Sequence, residues 1–177
     1  RMLKVKSLYH LIVYSILFII LLISFFTFII INNAHEELQD KIETLKTDYT
    51  NSQKELIKND VNSVINFITY YDNKYKKIKS TEQIKKEVLE ALTQIRPFDN
   101  VNEYLFIYDF NGINLYQPIS KDKIGEKYFD LTDSAGRKVI KELIDISKQG
   151  NGGYVEYFWY KLDIFKNTKK LSYSNSY

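Results

Sequence analysis

Glu103-Tyr-Leu-Phe-Ile-Tyr108-Asp-Phe-Asn-Gly112 decides how the rest of this chain is read. Six residues rich in aromatic and β-branched side chains end in Asp109-Phe-Asn-Gly112, and residues 113–117 follow as a second strand-like run closed by Pro118. The pattern predicts a β-hairpin, with Asn111-Gly112 supplying the positive φ that the turn needs. Because side chains alternate along a strand, Tyr104, Phe106 and Tyr108 share one face while Leu105 and Ile107 share the other. The aliphatic pair is expected to meet a helix. The aromatic face lines either a pocket or a second apolar layer.

Upstream of the hairpin the sequence is helical. Residues 34–79 contain neither Gly nor Pro, and Leu38, Ile42, Leu45, Tyr49, Leu56, Val61, Val64, Ile68 and Tyr75 recur mostly three and four apart. That spacing predicts a long helix with a near-heptad seam. Its early half is polar around a narrow stripe, as in a helix that pairs with another copy. Its later half widens with Ile57, Ile65 and Phe67, as in a helix lying on a sheet. Ser80 followed by Gln83 is a capping-box pattern opening a shorter helix with Ile84, Val88, Leu92 and Ile95 on one face, ended before Pro97.

Still further upstream, residues 11–31 carry no charge and are nearly all Leu, Ile, Val or Phe. At about 1.5 Å rise per residue this run spans the roughly 30 Å hydrocarbon core of a bilayer. Arg1, Lys4 and Lys6 precede it, and Glu36, Glu37 and Asp40 follow, so the N-terminus is expected on the cytoplasmic side and everything after Asn32 on the other. The run exceeds the h-region of a cleaved signal peptide, and no small-x-small site precedes Ala34.

Downstream of the hairpin, Asp133 or Ser134 is expected to cap a third helix carrying Val139, Ile140, Leu143, Ile144 and Ser147, which the Gly150-Asn-Gly-Gly153 run terminates. Residues 154–161 read as the strongest strand, 163–168 as a turn and 170–174 as a further strand. The expected architecture is α+β. An N-terminal transmembrane helix and a long helix precede a PAS-like antiparallel sheet of four or more strands, with a natural small-ligand pocket on its uncovered face. The expected divisions are 1–7 cytoplasmic, 8–32 membrane span, 33–79 long signalling and dimerisation helix, and 80–177 sensor domain.

Composition removes several functions. The net charge of +3 is accounted for by Arg1, Lys4 and Lys6, so the part beyond the span is neutral and lacks the basic surplus of a nucleic-acid binder. There is no cysteine, and the two histidines, His10 and His35, lie in and beside the span. A His-based metal or triad site is therefore not expected in the globular part, nor is a cofactor, and no Gly-x-Ser-x-Gly elbow is present. The domain itself is not expected to be an enzyme.

Tyr104-Leu-Phe-Ile-Tyr-Asp109-Phe-Asn-Gly112, Pro118, Ile124-Gly125, Asp130-Leu131 with Asp133 and Gly136, Gly152-Gly-Tyr-Val-Glu-Tyr157-Phe-Trp159 and Lys169-Lys-Leu-Ser-Tyr173 together resemble the type-two single Cache domain. That family supplies extracytoplasmic sensors of bacterial chemoreceptors, histidine kinases and cyclic-dinucleotide enzymes. The resemblance implies a domain in the bacterial inner membrane, with its sensor part outside. It implies a small organic acid of the acetate, propionate, pyruvate or lactate class as ligand, and signalling to a downstream output domain that is itself a kinase or cyclase in some members. Two departures stand out. Gln117-Pro118 replaces the usual His-Pro, and the family continues into a final strand and a second span that do not follow Tyr173 here, so the domain is expected to be truncated.

The residues expected to hold such an acid are Arg96, Phe98, Tyr104, Phe106, Tyr157, Trp159, Lys170 and Tyr173. A carboxylate suits a fixed bidentate cation, and Arg96 is one of three arginines, although a helix-terminal arginine serves its own dipole equally well. Lys170 is the second cation, at a position where lysines often merely flank a turn. Tyr157, Trp159 and Tyr173 offer hydroxyl and indole donors in an apolar cavity. The lipid bilayer and a second copy of the chain, joined through the long helix, are the other expected partners. The competing expectation is a ligand-free ectodomain that dimerises or docks a partner. A pocket filled by its own aromatic side chains would favour it.

Overall fold

The computed structural model describes residues 2–94, 103–161 and 166–177, with side chains from residue 9 onward and excluding that of residue 161. Arg96 and Phe98 lie outside the described residues. Two compact units are formed, Arg1–Ser52 and Gln53–Tyr177.

The first unit is entirely helical and belongs to α1, which runs Met2–Tyr75. Its apolar side chains, from Leu11 to Ile31, stand exposed, as they do on a helix whose surroundings are themselves apolar. One helix among the described residues is long and apolar enough to cross a membrane. The polar groups within this run are satisfied locally. Ser15, Ser24 and Thr27 donate their hydroxyls to the carbonyls of Leu11, Ile20 and Ile23 at 2.9, 2.9 and 2.8 Å. No side-chain donor on that stretch is left to face hydrocarbon.

The second unit is α+β. After the end of α1 the chain tightens, with the N–H of Ile78 on the carbonyl of Tyr75 at 2.9 Å. It then enters α2, Thr81–Gln94, capped as the sequence predicts by Ser80 Oγ on the N–H of Gln83 at 3.2 Å. A short hairpin follows, β1 at Ile107–Tyr108 and β2 at Asn114–Tyr116. Then come α3, Val139–Ser147, and a long hairpin of β3, Gly153–Lys161, with β4, Lys166–Ser174. The expected single sheet of four or more strands is instead two two-stranded antiparallel sheets, β1-β2 and β3-β4. The register of β1 shifts between Ile107 and Tyr108, which shortens its ladder.

Two hydrophobic clusters hold this unit. Leu105, Tyr116 and the α2 residues Ile84, Val88 and Leu92 pack with Val61, Val64, Phe67 and Ile68 of α1, so the aliphatic side of the first hairpin does face the long helix. Tyr116 adds a hydrogen bond from its hydroxyl to the Leu92 carbonyl at 3.0 Å. The second cluster joins Val139, Ile140, Leu143 and Ile144 of α3 to Val155 and Tyr157 of β3.

The turn between β1 and β2 follows the sequence reading. Asp109 accepts the N–H groups of Asn111 and Ile113 on Oδ1 at 2.9 and 2.8 Å, and Gly112 sits at φ +80. A Cβ at Gly112 would stand 2.7 Å from that of Phe129, so the position excludes side chains on two grounds. The third helix departs from expectation. Asp133 does not cap it; α3 begins six residues later, after Lys138. The Asp133 carboxylate is drawn instead into the loop, accepting the N–H groups of Ala135 and Arg137 at 2.9 Å each. Gly136 at φ +79 allows that turn to close before the helix starts.

Candidate functional site

Alternation along β1 and β3 directs one row of aromatic rings from each strand to the side where α3 packs. Phe106 and Tyr108 continue from Tyr104 as an edge-to-face series, with ring centroids 6.2 Å and then 5.7 Å apart, and Tyr128 extends it at 6.3 Å from Tyr108. Tyr157 and Trp159 on β3 stand edge to face at 6.0 Å. These rows, Val139 and Ile140 of α3, and Gln117 just after β2 enclose a void of about 20 Å³. A second cavity of about 140 Å³ opens between Tyr104, Phe106 and Tyr157 on one hand and residues 170–175 on the other.

The cage is apolar with a few placed polar groups, the composition of a small-ligand site. The Tyr157 hydroxyl lies 2.8 Å from Ser172 Oγ. Burial pushes the Tyr157 phenol up to about 12 and also raises those of Tyr104 and Tyr108, so all three remain neutral hydroxyls at physiological pH. For Tyr104 the side chain of Gln117 partly offsets that rise. Lys170 pairs directly across from Tyr157 in the β3–β4 ladder and so shares its face, with Nζ 4.7 Å from the Tyr104 ring centroid. A lysine over an aromatic face at the rim of an apolar cage is a cation held where an anion can reach it.

Of the residues expected from sequence, Tyr104, Phe106, Tyr157, Trp159 and Lys170 come together here. Tyr173 does not join Tyr157 and Trp159. It pairs across from Tyr154, on the opposite face of the hairpin, where its ring lies 5.0 Å from that of Tyr154 and its hydroxyl donates to the Asn151 carbonyl at 3.2 Å. Its neighbour Tyr154 donates to the Lys54 carbonyl of α1 at 2.8 Å, which marks that face as the helix side. Tyr173 borders only the larger cavity at the strand edge.

Sequence reading missed Gln117, Ser172 and α3's Val139 and Ile140 as cage residues. The alternation of Leu115 and Gln117 was a signal for the first. Nothing local marks the others, because their places depend on strand register and on how α3 packs.

A family model described as Cache domain matches residues 30–176. The sensor histidine kinase MctS of Rhizobium johnstonii is 32% identical over 136 residues, 76% of this chain, and the match spans 28% of that relative's length. A methyl-accepting chemotaxis protein from Vibrio parahaemolyticus shares the fold with a TM-score of 0.59 and 28% identity, over 71% of this chain and 80% of that one. A Cache chemosensory domain, solved as a structural basis for carboxylic acid recognition, superposes with a TM-score of 0.58 at 20% identity, over 74% of this chain and 86% of its own. The chain belongs to the Cache family of sensor domains.

Proposed function

We propose that this domain is the extracytoplasmic, non-enzymatic sensing part of a signal-transduction protein anchored in the bacterial inner membrane, and that its ligand is a small organic acid of two to four carbons. The observation that carries the reading is the position of Lys170, paired across from Tyr157 on the face of the aromatic cage and 4.7 Å from the Tyr104 ring. A carboxylate placed there meets a cation and neutral phenolic donors, while its short carbon chain meets aromatic rings. Carboxylic acid recognition by a Cache chemosensory domain of the same fold supports this choice of class. Binding would bias two arrangements of the helices beneath the sheet, and an output domain would read the difference. Pairing of two copies through the seam of α1 belongs to the same proposal and rests on the exposed Leu38, Ile42, Leu45 and Tyr49.

The test is thermal unfolding of the chain in detergent micelles against acetate, propionate, pyruvate and lactate. A saturable rise in Tm with one acid, lost in Lys170→Met, is the expected result, since a ligand that binds the native state stabilises it by RT ln(1 + [L]/Kd). One observation favours a second reading, a domain that docks a partner without a metabolite: the cage encloses only about 20 Å³. No shift with any acid at millimolar concentration would support that alternative.

A further inference from the structure

One polar atom in the cage has no role in holding the fold. Gln117 Oε1 is buried and has no hydrogen-bond partner. Its side chain lines the small void together with Tyr104, Phe106, Tyr108, Tyr157 and Trp159. A buried acceptor left unpaired is a standing loss of stability, and native proteins retain such groups chiefly where something else supplies the partner.

The other polar groups of the cage constrain what that partner is. An ionised carboxylate is acceptor-only and cannot satisfy Oε1. Hydrocarbon cannot either. The Tyr157 hydroxyl is engaged with Ser172, and the Tyr104 hydroxyl meets the Gln117 side chain itself. The missing donor must therefore belong to the ligand, next to its carboxylate. An ammonium would supply one, but no Asp or Glu lines the void to receive its charge. A neutral hydroxyl fits both the charge and the scale of the void, whose volume of about 20 Å³ suits a group the size of a water oxygen.

On this basis, which rests on the acid-sensor reading above, we infer that Gln117 selects a short 2-hydroxy acid over the corresponding unsubstituted and 2-keto acids. The carboxylate lies toward Lys170 and the hydroxyl donates to Gln117 Oε1. A three-carbon acid is larger than the void, so it enters as the rings of the cage turn aside. The chain's single tryptophan, Trp159, is one of those rings and reports the event.

The experiment is a Trp159 fluorescence titration of the full chain in nanodiscs with lactate, propionate and pyruvate, for the wild type and Gln117→Leu. Lactate should bind at least tenfold more tightly than either of the others, because a site built to pair a polar group rejects the analogue lacking it. Gln117→Leu should bring lactate to the level of propionate without weakening propionate. Equal affinity of the wild type for lactate and propionate, or tighter binding of pyruvate, overturns the inference and leaves the acid-sensor reading standing. Absence of any response, with no Tm shift, overturns both. The wild-type comparison decides the matter even where Gln117→Leu does not fold.

Discussion

Asp133 Oδ2 accepts the backbone N–H of Phe158 at 3.1 Å, across 25 residues of chain. Two residues along the same strand, the Arg137 guanidinium donates to the Glu156 carbonyl. The loop before α3 thus covers the edge of β3 that faces away from β4, using one carboxylate and one guanidinium to satisfy alternate ladder groups. An edge strand dressed in this way cannot recruit another strand there. Arg137 is in turn held by Glu142 of α3, so loop, helix and strand are tied through one charged residue.

Replacing Asp133 should therefore loosen β3 rather than α3. The backbone N–H groups of Arg137, Phe158 and Ala135 hold the Asp133 carboxyl below its ordinary 3.8, against the opposing effect of burial. A depressed folded-state value contributes stability that is present above the ordinary carboxylate range and is lost as pH falls through the folded value. Asp133→Asn should lower Tm at pH 7, and the gap to wild type should close as the pH is taken below about 4. A gap that stays constant with pH would mean that the charge of Asp133 is not what the loop uses.

Tyr157 predicts the opposite pH limb. Its phenol is raised to about 12 by burial, so above the ordinary value of 10.0 the unfolded chain ionises while the folded one keeps its proton. The associated stability is full below pH 10 and drains as pH rises towards 12. Tyr157→Phe should be about 1 kcal/mol less stable at pH 7 through loss of the Ser172 hydrogen bond. It should also lose stability less steeply in alkali. Urea unfolding at pH 7 and pH 11 measures both, and an unchanged alkaline slope would refute the assignment.

The extent to which these features were legible from sequence follows the range of the interactions involved. The membrane-spanning run, the Ser80 cap, the Asp109–Gly112 turn and the in–out alternation of residues 104–108 are local, and local chemistry determines them. Asp133 was misread as a helix cap because an Asp before an apolar helix looks the same whether its carboxylate accepts from the helix or closes a loop beforehand. Tyr173 was misplaced because its face depends on the register of β4 against β3, and a one-residue change in pairing reverses every side chain. Gln117 looked like a lost imidazole and became informative only once its oxygen was found buried without a partner.

The two hydrophobic clusters should respond separately to truncation. Leu92 on α2 is 2% exposed and Leu143 on α3 is 4% exposed, each packed in a different cluster. Leu92→Ala and Leu143→Ala should each cost about 2 to 5 kcal/mol, the range for a buried leucine whose site cannot collapse. Because the clusters share no residue, the double variant should lose the sum of the two within about 0.5 kcal/mol. Denaturant unfolding of the three variants in micelles tests this, and marked non-additivity would show the two clusters to be one cooperative core.

The seam on α1 gives a prediction that needs no ligand. Leu38, Ile42, Leu45 and Tyr49 follow the four-three-four spacing of a coiled coil and are all exposed, Leu45 by 68%. The chain contains no cysteine, so a single introduced thiol can form a disulfide only with a second copy. In a parallel pair, Leu45 of one helix faces Leu45 of the other, close enough for the Cβ separation of roughly 3.5 to 4.5 Å that a disulfide requires. Thr47 lies on the far side of the same turn. Mild oxidation of membranes should therefore cross-link Leu45→Cys into a dimer while leaving Thr47→Cys monomeric. Equal cross-linking of both would indicate collision rather than a seam, and cross-linking of neither would remove the long helix as the place where two copies meet.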